Sequence, residues 1–228
     1  MKRLEISSKV QEYLAETYRL AHAQPGEPVV STSDLAGRMN VSAPAAARMI
    51  NRLHESGLVA HEPYRGIRLT PAGEREALKS IRRHRLVESF LVRVMGFGWD
   101  EVHEEAEAVG GVISDPIADR MEAMAGYPKR CPHGEPIPTA DGVMPEVHDV
   151  PLIEVAAPAD LVVSRVRTHD PLKLQYLAAL RLVPEQPIAL ISRAPFNGPL
   201  RLMIDRQEQV IGHELASVLR VARAEQAS

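Results

Sequence analysis

The chain has 228 residues, 45% of them apolar, and a net charge of -3. That is enough to bury a real core in one to three small domains, and Cys131, the only cysteine, excludes an intramolecular disulfide. No run of eighteen apolar residues occurs, and Met-Lys-Arg-Leu-Glu-Ile at the start lacks the apolar core of a signal peptide, so a cytoplasmic protein without a membrane span is expected. The charge is unevenly spread: residues 1–85 hold 14 Lys+Arg against 9 Asp+Glu, and the remainder holds 13 against 21. A basic first part joined to an acidic remainder is the pattern of a nucleic-acid module attached to a cation-binding or regulatory one.

Val10, Tyr13, Leu14, Thr17, Tyr18 and Ala21 recur at helical spacing and predict a first helix over 8–23, ending before Pro25-Gly26, with Glu12 off its apolar stripe. Ser31-Thr-Ser-Asp caps a short second helix through Met39, and Ser42 opens a third with Pro44 in its first turn and Gly57 at its end. Two short helices joined by the tight Asn40-Val41 turn make a helix-turn-helix. Leu58–His61 and Gly66–Thr70 read as a hairpin around Glu62-Pro-Tyr-Arg65, which makes the module winged. In such a module the third helix enters the major groove and the wing touches phosphates. Ser42, Pro44, Ala45 and Arg48 then face base edges, with Arg48 the only long donor, and Tyr64, Arg65 and Arg68 serve the wing. A winged helix used for protein contacts is the competing reading.

Thr70-Pro71 caps a long fourth helix whose apolar face runs through Leu78, Ile81, Leu86, Phe90 and Val94 to Gly96. Asp100 starts a fifth helix, and Ser114-Asp-Pro116 a sixth with Ile117, Met121 and Met124 pointing inward. These helices offer more apolar surface than a two-helix hairpin hides, so a dimer interface is expected. His84 with Glu88, and His103 with Glu107, are four residues apart and share a helix face. Two such pairs facing each other would bind a divalent metal; apart, they are ordinary solvated charges.

From Gly126 to Asp149 the sequence turns to Pro, Gly and His without any period, which marks a loop. In it, Cys131 and His133 bracket a proline that keeps the backbone extended, so a thiolate and an imidazole are able to reach one metal, or their proximity is chance. Beyond Val150, short β-branched runs at Pro151–Val155, Leu161–Arg167, Ile188–Arg193, Leu200–Ile204 and Val218–Val221, with a helix at Pro171–Leu182, predict a small barrel. The expected architecture is mainly α with small β parts, in three domains: a winged helix-turn-helix over 1–74, a helical metal-binding and dimerisation domain over 75–149, and a barrel over 150–228.

The order winged helix, His-Arg-Leu-x-Glu, Val-His-Glu-Glu-Ala-Glu, Ser-Asp, Cys-Pro-His-Gly-x-Pro-Ile-Pro and terminal barrel resembles the diphtheria toxin repressor family over nearly the whole chain. That resemblance implies a homodimeric repressor that binds palindromic DNA when Mn(II) or Fe(II) is bound, with an SH3-like barrel as its last domain. His84, Glu88 and His103 match the family's cluster on helices four and five, and Glu12 and Glu107 match members of a second cluster. The next two ligand positions of that second cluster are Gly110 and Gly111 here, which depletes it. In the branch carrying Cys-Pro-His-Gly, Cys131, His133, Glu88 and an acidic barrel residue, matched by Asp170, form the site. Zn(II) is expected to bind in vitro at least as tightly as Mn(II). Two other classes compete: a metallohydrolase, for which no HExxH motif or placed base is present, and a winged-helix sensor of an organic ligand, for which 4% aromatic residues offer no obvious pocket. No enzymatic activity is expected.

Overall fold

The structure is a computed structural model that describes residues 7–23, 28–62 and 64–224; the expected helix stop at Pro25-Gly26 and the wing residue Pro63 lie outside them. The chain divides into two compact units, one of Met1–Val87, Glu107–Arg120 and Ile137–Pro145, the other of Glu88–Ala106, Met121–Pro136 and Glu146–Ser228.

In the first unit, α1 (Ser8–Ala21), α2 (Thr32–Arg38) and α3 (Ala43–Glu55) precede a hairpin of β1 (Val59–Glu62) and β2 (Gly66–Leu69). Leu14, Leu35, Leu53, Val59 and Ile67 are buried in its core, so each of the five elements contributes an aliphatic side chain to a common centre. Ser7 and Ser31 each cap a helix by accepting a backbone N–H, from Val10 and Asp34. Ser42 makes no such bond, and its hydroxyl stays exposed at the start of α3. Buried Glu16 accepts from Arg38 Nε at 2.6 Å and also pairs with Arg19, which ties α1 to α2. Burial alone would raise this carboxyl, but the two guanidinium groups outweigh it and hold it below the usual range. The wing and the following helix are continuous: Thr70 Oγ1 accepts from Gly73 N at 3.1 Å and caps α4 (Pro71–Arg93), the longest helix. Its Leu78, Ile81 and Leu86 are buried as the pattern predicts, whereas Val94 lies beyond the helix end and is exposed.

The helices α5 (Val102–Gly110) and α6 (Asp115–Met124) follow. On α6 the expected orientation is corrected: Ala118 is buried with Leu86 and Ile137, while Ile117 and Met124 are exposed and Met121 is half-buried. A small side chain permits the close approach there, and the larger ones are left outside.

In the second unit a six-stranded antiparallel sheet runs in the order β3-β8-β4-β5-β6-β7, from β3 (Val150–Pro151), β4 (Ala159–Val166), β5 (Pro187–Arg193), β6 (Leu200–Ile204), β7 (Gln207–Ile211) and β8 (Leu219–Arg223). The helices α7 (Pro171–Ala179) and α8 (His213–Ser217) complete it, and Leu152, Leu174, Leu177 and Leu190 fill its core. β7 and α8 are additions to the predicted elements, and the strand expected over Pro151–Val155 is corrected: only Val150–Pro151 pairs in the sheet, and Leu152–Glu154 form a 3-10 helix. Gln207-Glu-Gln-Val-Ile opens on three polar residues, and the preceding Asp205-Arg206 turn uses two residues with positive φ, 47° and 66°, without a glycine. That gives the geometry of a two-residue hairpin without its usual sequence signal.

Asp149 joins this sheet to the loop before it. Its fully buried carboxylate accepts from Arg165 Nε and Nη2, both at 2.6 Å, from Arg220 Nε at 2.5 Å and from Ser164 Oγ at 2.8 Å. Burial would raise its pKa, but the hydrogen bonds from the two arginines hold it below the ordinary 3.8. A depressed folded pKa means that the stabilisation is complete above the unfolded value and is lost as pH falls through the lower folded one. Asp149→Ala is therefore expected to cost about 3–5 kcal/mol in urea unfolding at neutral pH. The variant should also lose part of the acid sensitivity that wild type shows below pH ~4.

Candidate metal centre

The second unit gathers four of the predicted ligands. Glu88 is on α4, His103 on α5, and Cys131 and His133 are in the loop after α6. Ligand atoms of Glu88, Cys131 and His133 all lie within 4.8 Å of one another, and all three residues are buried. Glu88 Oε1 is 3.3 Å from His103 Nδ1 and 3.7 Å from His133 Nδ1, and Cys131 Sγ is 3.9 Å from the same His133 nitrogen. Donor atoms ~2.0–2.3 Å from one ion stand about 3–4 Å apart along the edges of its coordination polyhedron. The observed separations are of that size, and the oxygen, nitrogen and sulfur donors suit a divalent transition metal. The residues present therefore fit a metal ion.

His133 is held in one orientation. Its Nε2 lies 2.8 Å from the carbonyl oxygen of Trp99, which only accepts, so Nε2 carries the proton and Nδ1 turns toward Glu88 and Cys131. Burial would lower the pKa of this imidazole, but the hydrogen bond and charge of Glu88, aided by the Trp99 carbonyl and Glu135, raise it. His84 precedes Glu88 by four residues on α4 and shares its helix face.

The remaining predicted ligands are placed elsewhere. Glu12 pairs with Lys9 at 2.8 Å on α1, and Glu107 is exposed on α5. Gly110 packs at the level of His84, where an added Cβ would stand 3.6 Å from the His84 Cα, and a Cβ on Gly111 would stand 3.0 Å from Ser8 Cβ. Neither glycine offers a side chain from which the second cluster could draw a ligand. Asp170 is exposed, and its Oδ1 accepts from Leu172 N at 3.0 Å and Lys173 N at 3.3 Å as the N-cap of α7. Among the described residues, Glu12, Glu107 and Asp170 belong to no group of three or more clustered ligand atoms.

His169, next to Asp170, was not singled out by the sequence reading. Its ring stacks on His103 with centroids 3.5 Å apart and meets His133 edge-on at 5.8 Å. The signal was one residue away: His-Asp-Pro offers an imidazole beside the carboxylate, and the cap position takes the carboxylate.

On the winged helix, Ser42, Pro44 and Arg48 are exposed, and Ala45 is half-buried. Arg52, one turn beyond Arg48, is a second exposed long donor on α3. Tyr64 and Arg65 are exposed at the tip of the wing, and Arg68 pairs with Glu62 at 3.4 Å.

A winged helix followed by a buried cluster of carboxylate, imidazole and thiol defines a metal-responsive DNA-binding regulator. Residues 5–67 match the model for the iron dependent repressor N-terminal DNA binding domain, 70–139 that for the iron dependent repressor metal binding and dimerisation domain, and 150–223 the FeoA domain. The iron-dependent repressor IdeR of Mycobacterium tuberculosis is 27% identical over 201 residues, which are 83% of this chain and 87% of that protein. The diphtheria toxin repressor of Corynebacterium glutamicum is 34% identical over 104 residues, 46% of each chain. A solved manganese-dependent transcriptional repressor in complex with manganese superimposes with a TM-score of 0.86 at 36% identity, covering 93% of this chain and 99% of that one. The chain belongs to this family of iron- and manganese-dependent transcriptional repressors. Its relatives are repressors rather than enzymes, and among the described residues no helix is long and apolar enough to cross a membrane.

The cap geometry of Asp170 yields a direct expectation. Asp170→Ala should lower the stability of the metal-free protein by about 1 kcal/mol in chemical denaturation, the usual loss for an N-cap carboxylate.

Proposed function

We propose that this repressor acts as a homodimer on a near-palindromic operator and is activated by Mn(II) or Fe(II) held by Glu88, His103, Cys131 and His133. The observation that carries the reading is the buried grouping of Glu88, Cys131 and His133 within 4.8 Å. His84, one turn before Glu88 on α4, is a further ligand in this reading, and His169 rather than the capping Asp170 serves from the barrel. Exposed Val109, Ile117 and Met124 on α5 and α6 support a dimer interface, since apolar side chains of that size are otherwise costly to leave in water. The three consecutive family matches support the division into DNA-binding, metal-binding and barrel domains.

A bound divalent cation supplies positive charge that compensates Glu88 and the Cys131 thiolate in a buried site. The chain does the rest. Glu88 lies on α4, the helix that begins directly after the wing. Activation is then a shift of population toward conformers with the two winged helices at operator spacing, limited by the difference in metal affinity between conformers. Mn(II) is the expected physiological activator, as the metal bound in the solved repressor that is 36% identical to this chain. Zn(II) should bind at least as tightly as Mn(II) in vitro, since affinity at N, O and S donors follows the Irving–Williams order.

On DNA, Ser42, Pro44, Ala45 and Arg48 present α3 to base edges, and Tyr64, Arg65 and Arg68 hold the backbone. Gel-shift titrations with and without Mn(II) test both halves. Glu88→Ala and Cys131→Ala should each lose the metal-dependent gain in DNA affinity, while Glu107→Ala keeps it within about twofold; the reverse ranking would overturn the assignment. Arg65→Ala should weaken binding to all sequences and reduce the salt slope by about one, while Arg48→Ala should blur base choice by about 1–3 kcal/mol. A monomer bound to one unrepeated half-site would contradict the dimeric operator.

A further inference from the structure

The Cys131–Glu135 segment is an ordered turn. Cys131 O accepts from Gly134 N and Glu135 O accepts from Cys131 N, both at 2.9 Å, and Arg130 Nη1 donates to Gly134 O at 2.7 Å. The turn is also docked on three successive residues of β4. Gly134, at φ 85°, lies so close to the Ser164 carbonyl that any Cβ there would collide with it. Arg165 Nη1 donates to Glu135 Oε2 at 3.2 Å, and Val166 N donates to His133 O at 2.9 Å.

Charge explains why Arg165 reaches for Glu135. Asp149 is one carboxylate shared by two guanidinium groups, Arg165 and Arg220, and Arg165 is only 15% exposed. A second negative charge is needed near this poorly hydrated pair, and Glu135 provides it, standing also 4.0 Å from Arg167 Nε. Because Glu135 is two residues from His133 and its carbonyl holds Cys131 N, the demand of the arginines is met by the segment that carries both loop ligands.

Resting on the metal-centre reading above, we infer that Arg165 is a positioning residue: through Glu135 and Asp149 it holds the Cys131–His133 turn in liganding geometry before an ion arrives. The loop ligands are preorganised by the barrel, and metal affinity includes no cost of folding the loop.

The test uses the full-length dimer and Co(II), whose thiolate charge-transfer band reports Cys131 directly. Wild type should show that band and Cys131→Ala should lack it; a wild-type protein without the band would remove the metal-centre reading itself. Glu135→Gln leaves the Arg165–Asp149 bonds in place, and Arg165→Gln breaks both. Each should weaken Co(II) binding by about 10-fold or more, the usual scale for partners behind a ligand, while the band returns at saturation. A clasp that served only the barrel would lower the metal-free melting temperature and leave Co(II) affinity, measured well below melting, unchanged. If the wild-type band is present and Glu135→Gln binds Co(II) within twofold of wild type, the inference about Arg165 is overturned, whether or not Arg165→Gln folds.

Discussion

A carboxylate buried to 3% exposure, with two imidazoles and a thiol around it, is the constraint on which the second unit is built. Glu88 cannot be hydrated there, so its charge must be met by protonated histidine or by a cation. Without an ion, the raised pKa of His133 supplies part of that compensation. The groups that face this carboxylate are also the candidate donors to an ion.

The loop shows how this is made structurally safe. A bare thiol and an imidazole on a mobile segment would have to be ordered by the ion, at a cost in affinity. Here backbone hydrogen bonds, a glycine pressed on a strand carbonyl and a buried arginine network do that ordering within the protein. The barrel strand β4 thus orders the segment that carries Cys131 and His133.

Much of this was legible in the chain. The winged helix followed from caps and spacing, because Ser7, Ser31 and Thr70 act locally and Leu14, Leu35 and Leu53 repeat with the helix. His84, Glu88, His103, Cys131 and His133 were found from helical spacing, the stiff Cys-Pro-His segment and family motifs. That Glu88, Cys131 and His133 lie together was implied only by the family resemblance, since it depends on tertiary packing that no spacing encodes. Asp170 and His169 show the limit well: both fit a ligand, and only the hydrogen bonds at the start of α7 reveal that the carboxylate is engaged as a cap. Likewise β7 was missed because an edge strand with one solvated face needs few apolar residues.

The hydrogen bond from His133 to Trp99 has a consequence for variation in this protein. The acceptor is a main-chain oxygen, so replacing the indole with another side chain does not delete it. Which nitrogen of His133 faces the donors is accordingly set by the course of the backbone between α4 and α5. A substitution at residue 99 therefore leaves the tautomer unchanged while the backbone keeps its path, although it removes the indole that stacks on His133 at 5.7 Å and packs against the core.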